Sequence, residues 1–351
     1  MAARPPPPAR PRRAPRAAPE PPGLSRRWAL LLGMLIGGAL LAAGLLIGRW
    51  QRAPAPAASA AAAAPAVAPL AGPAPQGILP AAAPDDFPTF TPAQLRAEQA
   101  APDDWLVHRL AGAPQVLVVE FASLSTQGRA LNRVAALVEK RGGARDRVLG
   151  DAELQALIAH GGDTEASYFL GHDYRARDLA RFYTLAAAQG VALNADELRL
   201  RTLLERARLI NATAPGRYAG ADPGAFVSFG AATPAAARAV ARVDAARRAS
   251  IMAHELSHGR FFTDAVYREH CAFFWHQLLT EPERAAWRRY LAEQGYDPAN
   301  EELMVNETQA LLMHTPDARD FSAAALHWSD AELEGLRERF RLGLVNPPPE
   351  N

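Results

Sequence analysis

The sequence has one lysine, one cysteine and no excess of charge of either sign, and each scarcity closes off a class of function. Its 351 residues carry 38 basic and 37 acidic side chains, a net charge of +1 at pH 7. So close a balance gives no electrostatic case for a nucleic-acid partner. Lys140 is the only lysine and every other basic residue is arginine; beside the abundant alanine and proline, this reads as genomic GC bias. A single cysteine, Cys271, excludes an intrachain disulfide. In the apolar run H-C-A-F-F-W it reads as a small buried core residue, and it lies too far along the chain to be a lipoprotein cysteine.

Charge is also missing from Trp28 to Gly48, W-A-L-L-L-G-M-L-I-G-G-A-L-L-A-A-G-L-L-I-G. About 20 apolar residues are what a helix needs to cross the hydrocarbon core, and a cleavable signal usually has a shorter apolar region of roughly 7 to 15. Residues 28–48 are therefore expected to be a transmembrane signal anchor, flanked by the interfacial aromatics Trp28 and Trp50. Residues 1–27 are rich in proline and arginine and too poor in apolar side chains to fold. Seven arginines precede the span and only Arg49 and Arg52 follow it closely, which places the N-terminus in the cytoplasm. In a bacterium this gives a single-pass inner-membrane protein with its bulk in the periplasm. Residues 49–84 form an Ala/Pro linker, semi-extended by its prolines; its small residues would also suit a signal peptidase.

The remaining region, 85–347, is long enough for a two-lobed enzyme and reads as α+β, predominantly helical. Helix starts are expected at Thr91, Asn194, Thr280, Thr315 and Ser329, where a capping side chain precedes an acid or amide. The T-E-P-E context of Glu281 and Glu283 belongs to such a start. Two strands are expected, Q-V-L-V-V-E-F at 115–121 and A-F-V-S-F at 225–229. In L-G-H-D-Y, Asp173 reads as the cap of a following helix, and His172 has no assignment.

One motif carries chemistry. His254, Glu255 and His258 stand in I-M-A-H-E-L-S-H-G-R. On a helix, i and i+4 share a face, so both imidazoles can reach one zinc ion with the glutamate beside them. The helix is expected to be capped by Thr233, to start with Pro234 in its first turn, and to run from Ala235 to Phe262. A catalytic zinc usually has three protein ligands and one open position. Glu307 is the leading third ligand, a carboxylate in the apolar helical run E-E-L-M-V-N-E-T-Q-A-L-L-M-H. Asp264, six residues after His258, and His270 are the alternatives. Oxyanion or substrate contacts are sought in His314 and Tyr267, then in His270 and Tyr296.

With these residues in place the chain resembles the gluzincins, the thermolysin-like metallopeptidases. H-E-L-S-H is similar to their first zinc helix, and N-E-T-Q-A at 306–310 to the asparagine-glutamate pair of the second. The resemblance covers about ten residues at the first motif and five at the second. It implies a zincin-like catalytic domain, one catalytic Zn2+ held by His254, His258 and Glu307, and Glu255 as general base on peptide or protein substrates. It also implies an edge strand ahead of the zinc helix that binds substrate, a place A-F-V-S-F could fill; an ordinary core strand would show the same pattern. Two features depart from the family. The 49 positions from His258 to Glu307 exceed the roughly 20 of thermolysin-type enzymes, room for helices over Asp264–Leu279 and Pro282–Gln294. Leu311 stands where those enzymes carry an aspartate that orients the first histidine. Two other functions fit the same residues, a non-catalytic zincin-like binding module and a helical scaffold in which the motif is a coincidence.

Overall fold

The computed structural model describes residues 87–98, 105–233 and 242–343. The tail, anchor and linker expected over 1–84, and the segment after Pro234, lie outside the described residues. Among the described residues no helix is long and apolar enough to cross a membrane.

The fold is mixed α and β and predominantly helical. Strands β1 (Thr89–Phe90), β2 (Leu106–Leu110), β3 (Ala113–Phe121), β4 (Gly171–Arg175) and β7 (Ala225–Gly230) form one sheet in the order β1-β2-β3-β7-β4. β3 and β7 are parallel, with Val118 opposite Val227, and β4 runs antiparallel to β7 as an edge. β5 (Ile210–Ala214) and β6 (Arg217–Gly220) make a separate hairpin.

The sheet is covered on both faces because β3 is apolar on both, Val116 and Val118 on one and Leu117, Val119 and Phe121 on the other. Leu117, Val119 and Phe121 pack with helices α2 (Leu124–Val138), α4 (Ala176–Gln189) and α5 (Ala195–Arg206). Val116, Val118, Val227 and Phe229 face Ile251, Met252 and Leu256 of helix α6 (Ala245–Thr263). Gly259 lets α6 sit close, since a Cβ there would lie 2.9 Å from Val116 Cγ1. A buried two-point ion pair ties α6 to β3, Arg248 Nε to Glu120 Oε1 at 2.9 Å and Nη2 to Oε2 at 2.5 Å. The expected A-F-V-S-F edge strand is thus corrected. It is β7, buried throughout between two neighbours, and the edges are β1 and β4.

Beyond α6 the chain builds a second core from α7 (Ala265–Phe273), a π turn (Phe274–Leu278), α8 (Glu281–Glu293), α9 (Glu301–His314) and α10 (Asp330–Leu342). Trp275, Trp287 and Phe340 are fully enclosed in it, with Cys271 among them as expected. α7, the π turn and α8 fill the long gap between the two motifs at the positions expected.

Capping boxes form at Thr91, which opens α1 (Pro92–Ala97), and at Asn194, Thr280 and Ser329; α3 (Asp151–His160) follows α2 in the chain. Two expectations are revised. α6 begins at Asp244, whose carboxylate accepts from Arg247 N at 2.9 Å, ten residues after the proline that looked like its first turn. Thr315 ends α9 instead of opening a helix, because its hydroxyl is engaged elsewhere.

Candidate metal centre

α6 presents His254, Glu255 and His258 toward α9, which brings up Asn306 and Glu307 from the other side. The Nε2 atoms of His254 and His258 lie 3.0 Å apart, with their rings at 82°. Glu307 Oε2 is 3.6 Å from His254 Nε2, and Oε1 is 3.8 Å from His258 Nε2. Two ring nitrogens and one carboxylate therefore converge on one point, the donor set a zinc ion prefers.

One histidine is oriented by a hydroxyl. Thr315 Oγ1 donates to Ala310 O at 3.0 Å, so it must accept from the Nδ1–H of His254, 2.8 Å away. That sets the tautomer and leaves Nε2, 3.6 Å from Glu307 Oε2, without a proton and free to ligate. Thr315 thereby takes the role that Leu311 cannot.

β4 adds a carboxylate. Asp173 Oδ2 stands 3.6 Å from His258 Nε2, and Oδ1 accepts from Asn306 Nδ2 at 3.2 Å. Asp173 is therefore a strand residue of the site and not a helix cap; the N-cap of α4 is Arg175. Glu139, at the end of α2, has a carboxylate oxygen within 4.8 Å of those of Asp173 and Glu307. It accepts from the Tyr174 hydroxyl at 3.0 Å, and that hydroxyl lies 2.9 Å from His172 Nδ1.

Four carboxyl groups are thus enclosed together. Burial is the largest influence on each and raises the pKa of Glu139, Asp173, Glu255 and Glu307, with neighbouring carboxylates adding to the rise in Glu139 and Glu255. For Glu307, the charge of His258 and a hydrogen bond from Tyr296 act in the other direction. Burial lowers His254 to about 4, so it is neutral and able to ligate near pH 7. Glu307 Oε2 and Glu255 Oε2 are buried and have no hydrogen-bond partner. Buried acceptors without donors, amid carboxylates crowded enough to resist ionisation, are what a dication would satisfy. The residues fit zinc.

The centre opens on a cleft of about 450 Å³, lined among others by Phe169, Gly171, Tyr290 and Tyr296. Glu255 lines it too. Gly171 makes room for that side chain, since a Cβ at 171 would overlap the Glu255 carboxylate.

The alternative ligands lie elsewhere. Asp264 caps α7, accepting from Tyr267 N at 3.0 Å and pairing with Arg260 at 3.2 Å. His270 packs against Phe340 with ring centroids 4.6 Å apart. Among the described residues, neither joins a cluster that could hold a metal. Tyr267 and His314 are also absent from the cleft lining. The tyrosine hydroxyl donates to Gln309 Oε1 at 2.7 Å and lies 3.1 Å from His314 Nε2, so the two bond to each other within the helical core. Tyr296 does line the cleft, together with Tyr168 and Tyr290.

No protein-family model, no curated protein and no solved structure matches the chain.

Proposed function

We propose that the chain is a zinc metallopeptidase of the gluzincin type, with residues 85–347 as a zincin-like catalytic domain. The observation that carries this reading is the convergence of His254, His258 and Glu307 beside a buried glutamate that has an unpartnered oxygen. A zinc ion held there would supply Lewis acidity toward a carbonyl oxygen and would lower the pKa of water. The chain's own residues do the rest. Thr315 and Asn306 orient the centre, the latter through Asp173. Glu255, which lines the cleft beside the two histidines and has an unpartnered oxygen, would take a proton and return it to a leaving amine. A substrate backbone that joins the sheet has β4 as its edge, next to the cleft residues Phe169, Leu170 and Gly171.

In the fuller form of the proposal, residues 28–48 anchor this domain to the bacterial inner membrane and hold it in the periplasm, as the arginine distribution suggests. A non-catalytic zincin-like module is the competing reading, and the intact Glu255 favours the enzyme. Glu255→Gln separates the two. Zinc content should stay at that of the unsubstituted protein while peptide hydrolysis falls by about 10² to 10⁴. Hydrolysis that is absent from both proteins, with zinc bound in both, would favour the binding module.

A further inference from the structure

The chain's only lysine lines the same cleft as His254, Glu255 and Glu307. Lys140 follows the last turn of α2 and forms a β-bridge with Tyr296. Its side chain runs over Gly295, at φ +91°, where a Cβ would lie 2.7 Å from Nζ and 2.8 Å from Cε. The ammonium sits 4.1 Å from the ring centre of Tyr168 and 4.6 Å from that of Phe169. Backbone and rings thus form a slot for a slim stem with a compact cationic head, a shape that arginine's broad planar fork does not match.

Its pairing is unlike that of the other cations in the cleft. Arg247 donates to Asp320 Oδ1 at 2.8 Å, and Arg319 donates to Asp244 Oδ2 at 2.6 Å. Lys140 Nζ has Asp163 Oδ2 at 3.8 Å, an ion pair too long for a hydrogen bond. Its side chain is only 9% exposed, so the ammonium is held against the cleft wall by the rings and by one distant carboxylate. Rings stabilise the charge but accept few hydrogen bonds. A carboxylate entering the cleft would supply the acceptors.

We infer that Lys140 is the carboxylate-binding residue of the cleft, and that the substrates are peptides presenting a free carboxylate there. This rests on the metallopeptidase reading and adds a substrate class to it. The carboxylate is either the C-terminal one, which makes the enzyme act near chain ends, or that of an acidic side chain.

The test uses the full-length protein carrying Glu255→Gln, so that peptides bind without turnover, with zinc content measured on the same samples. Calorimetry compares acetyl-Ala-Ala-Ala, its C-terminal amide, and acetyl-Ala-Ala-Glu amide. A carboxylate peptide should bind about tenfold or more tightly than the neutral amide, and the one that does names the source. The preference should weaken as salt rises. It should fall to within about twofold in Lys140→Met, which keeps the apolar stem, and in Lys140→Gln. Three peptides that bind alike or not at all, or a preference unchanged in both lysine variants, would overturn the inference. Failure of the metal reading would show separately as missing zinc, with the peptide comparison still reporting on Lys140.

Discussion

His254 owes its orientation to one hydroxyl, and the chemistry of the centre depends on such single atoms. Thr315→Val keeps the side-chain volume and removes the acceptor for His254 Nδ1, so zinc affinity should drop about 10- to 100-fold. Thr315→Ser should retain most of it. Competition with a chromogenic chelator measures both, and equal affinity in the valine variant would remove Thr315 from the centre. His172 gives a pH test of the enclosed surroundings. Burial first, and the Lys140 charge second, lower its pKa to about 3, whereas the unfolded chain has the ordinary value near 6.5. Between those values the unfolded state binds the extra proton, so this residue's contribution to stability is lost as pH falls from about 6.5 toward 3. The thermal midpoint of the protein relative to His172→Gln should therefore fall over that window. A difference independent of pH would show that His172 is not buried neutral. At this scale the convergence of His254, His258 and Glu307 was legible, because H-E-x-x-H has meaning only on a helix and Glu307 was a carboxylate stranded in an apolar run. Thr315, Asp173 and Glu139 were not. Each becomes functional through a neighbour distant in sequence, and Thr315 followed by proline and aspartate looks locally like a helix start.

The elements place these atoms through close approach more than through local propensity. β4 passes so near α6 that position 171 must be glycine for Glu255 to keep its place. Gly171→Ala should move that carboxylate, leave zinc content unchanged and cut peptide hydrolysis by about 10². Unchanged activity would mean that Glu255 can occupy another position at no cost. The same strand shows where pattern reading stops. A-F-V-S-F was recognisable as a strand from its alternation, but its pairing partners were not, and a strand with neighbours on both sides cannot accept a substrate. G-H-D-Y-R, an actual edge, lacks the β-branched run that marks strands, since one of its faces carries Asp173 into the site and the other carries His172 and Tyr174. The start of α6 was misread for a related reason. Thr233-Pro234 is a sound helix opening, but the Thr233 hydroxyl instead accepts from Val243 N at 3.2 Å, and Asp244 takes over the cap.

At the scale of the molecule, the centre joins two cores. His254 and His258 belong to the helix that packs on the sheet, and Glu307 to the helical core beyond it. Zinc shared between them would act as a cross-link present only in the folded state. Stability should rise by about 2.7 kcal/mol when free zinc is 100 times its dissociation constant. Chelation should lower the thermal midpoint by several degrees, and Glu307→Ala should abolish the difference between zinc-loaded and chelated protein. A zinc-dependent shift that persists in Glu307→Ala would place the ion elsewhere. The predominance of helix and the positions of the intervening helices could be read from capping residues and apolar spacing, whereas the meeting of β4, α2 and α9 around one point is a property of the packed chain. The most direct test of the account is anomalous scattering at the zinc edge from crystals of the zinc-loaded protein. It predicts a single strong peak bounded by His254 Nε2, His258 Nε2 and the Glu307 carboxylate, with Glu255 beside it. No peak there, or a peak at Asp264 or His270, would contradict it.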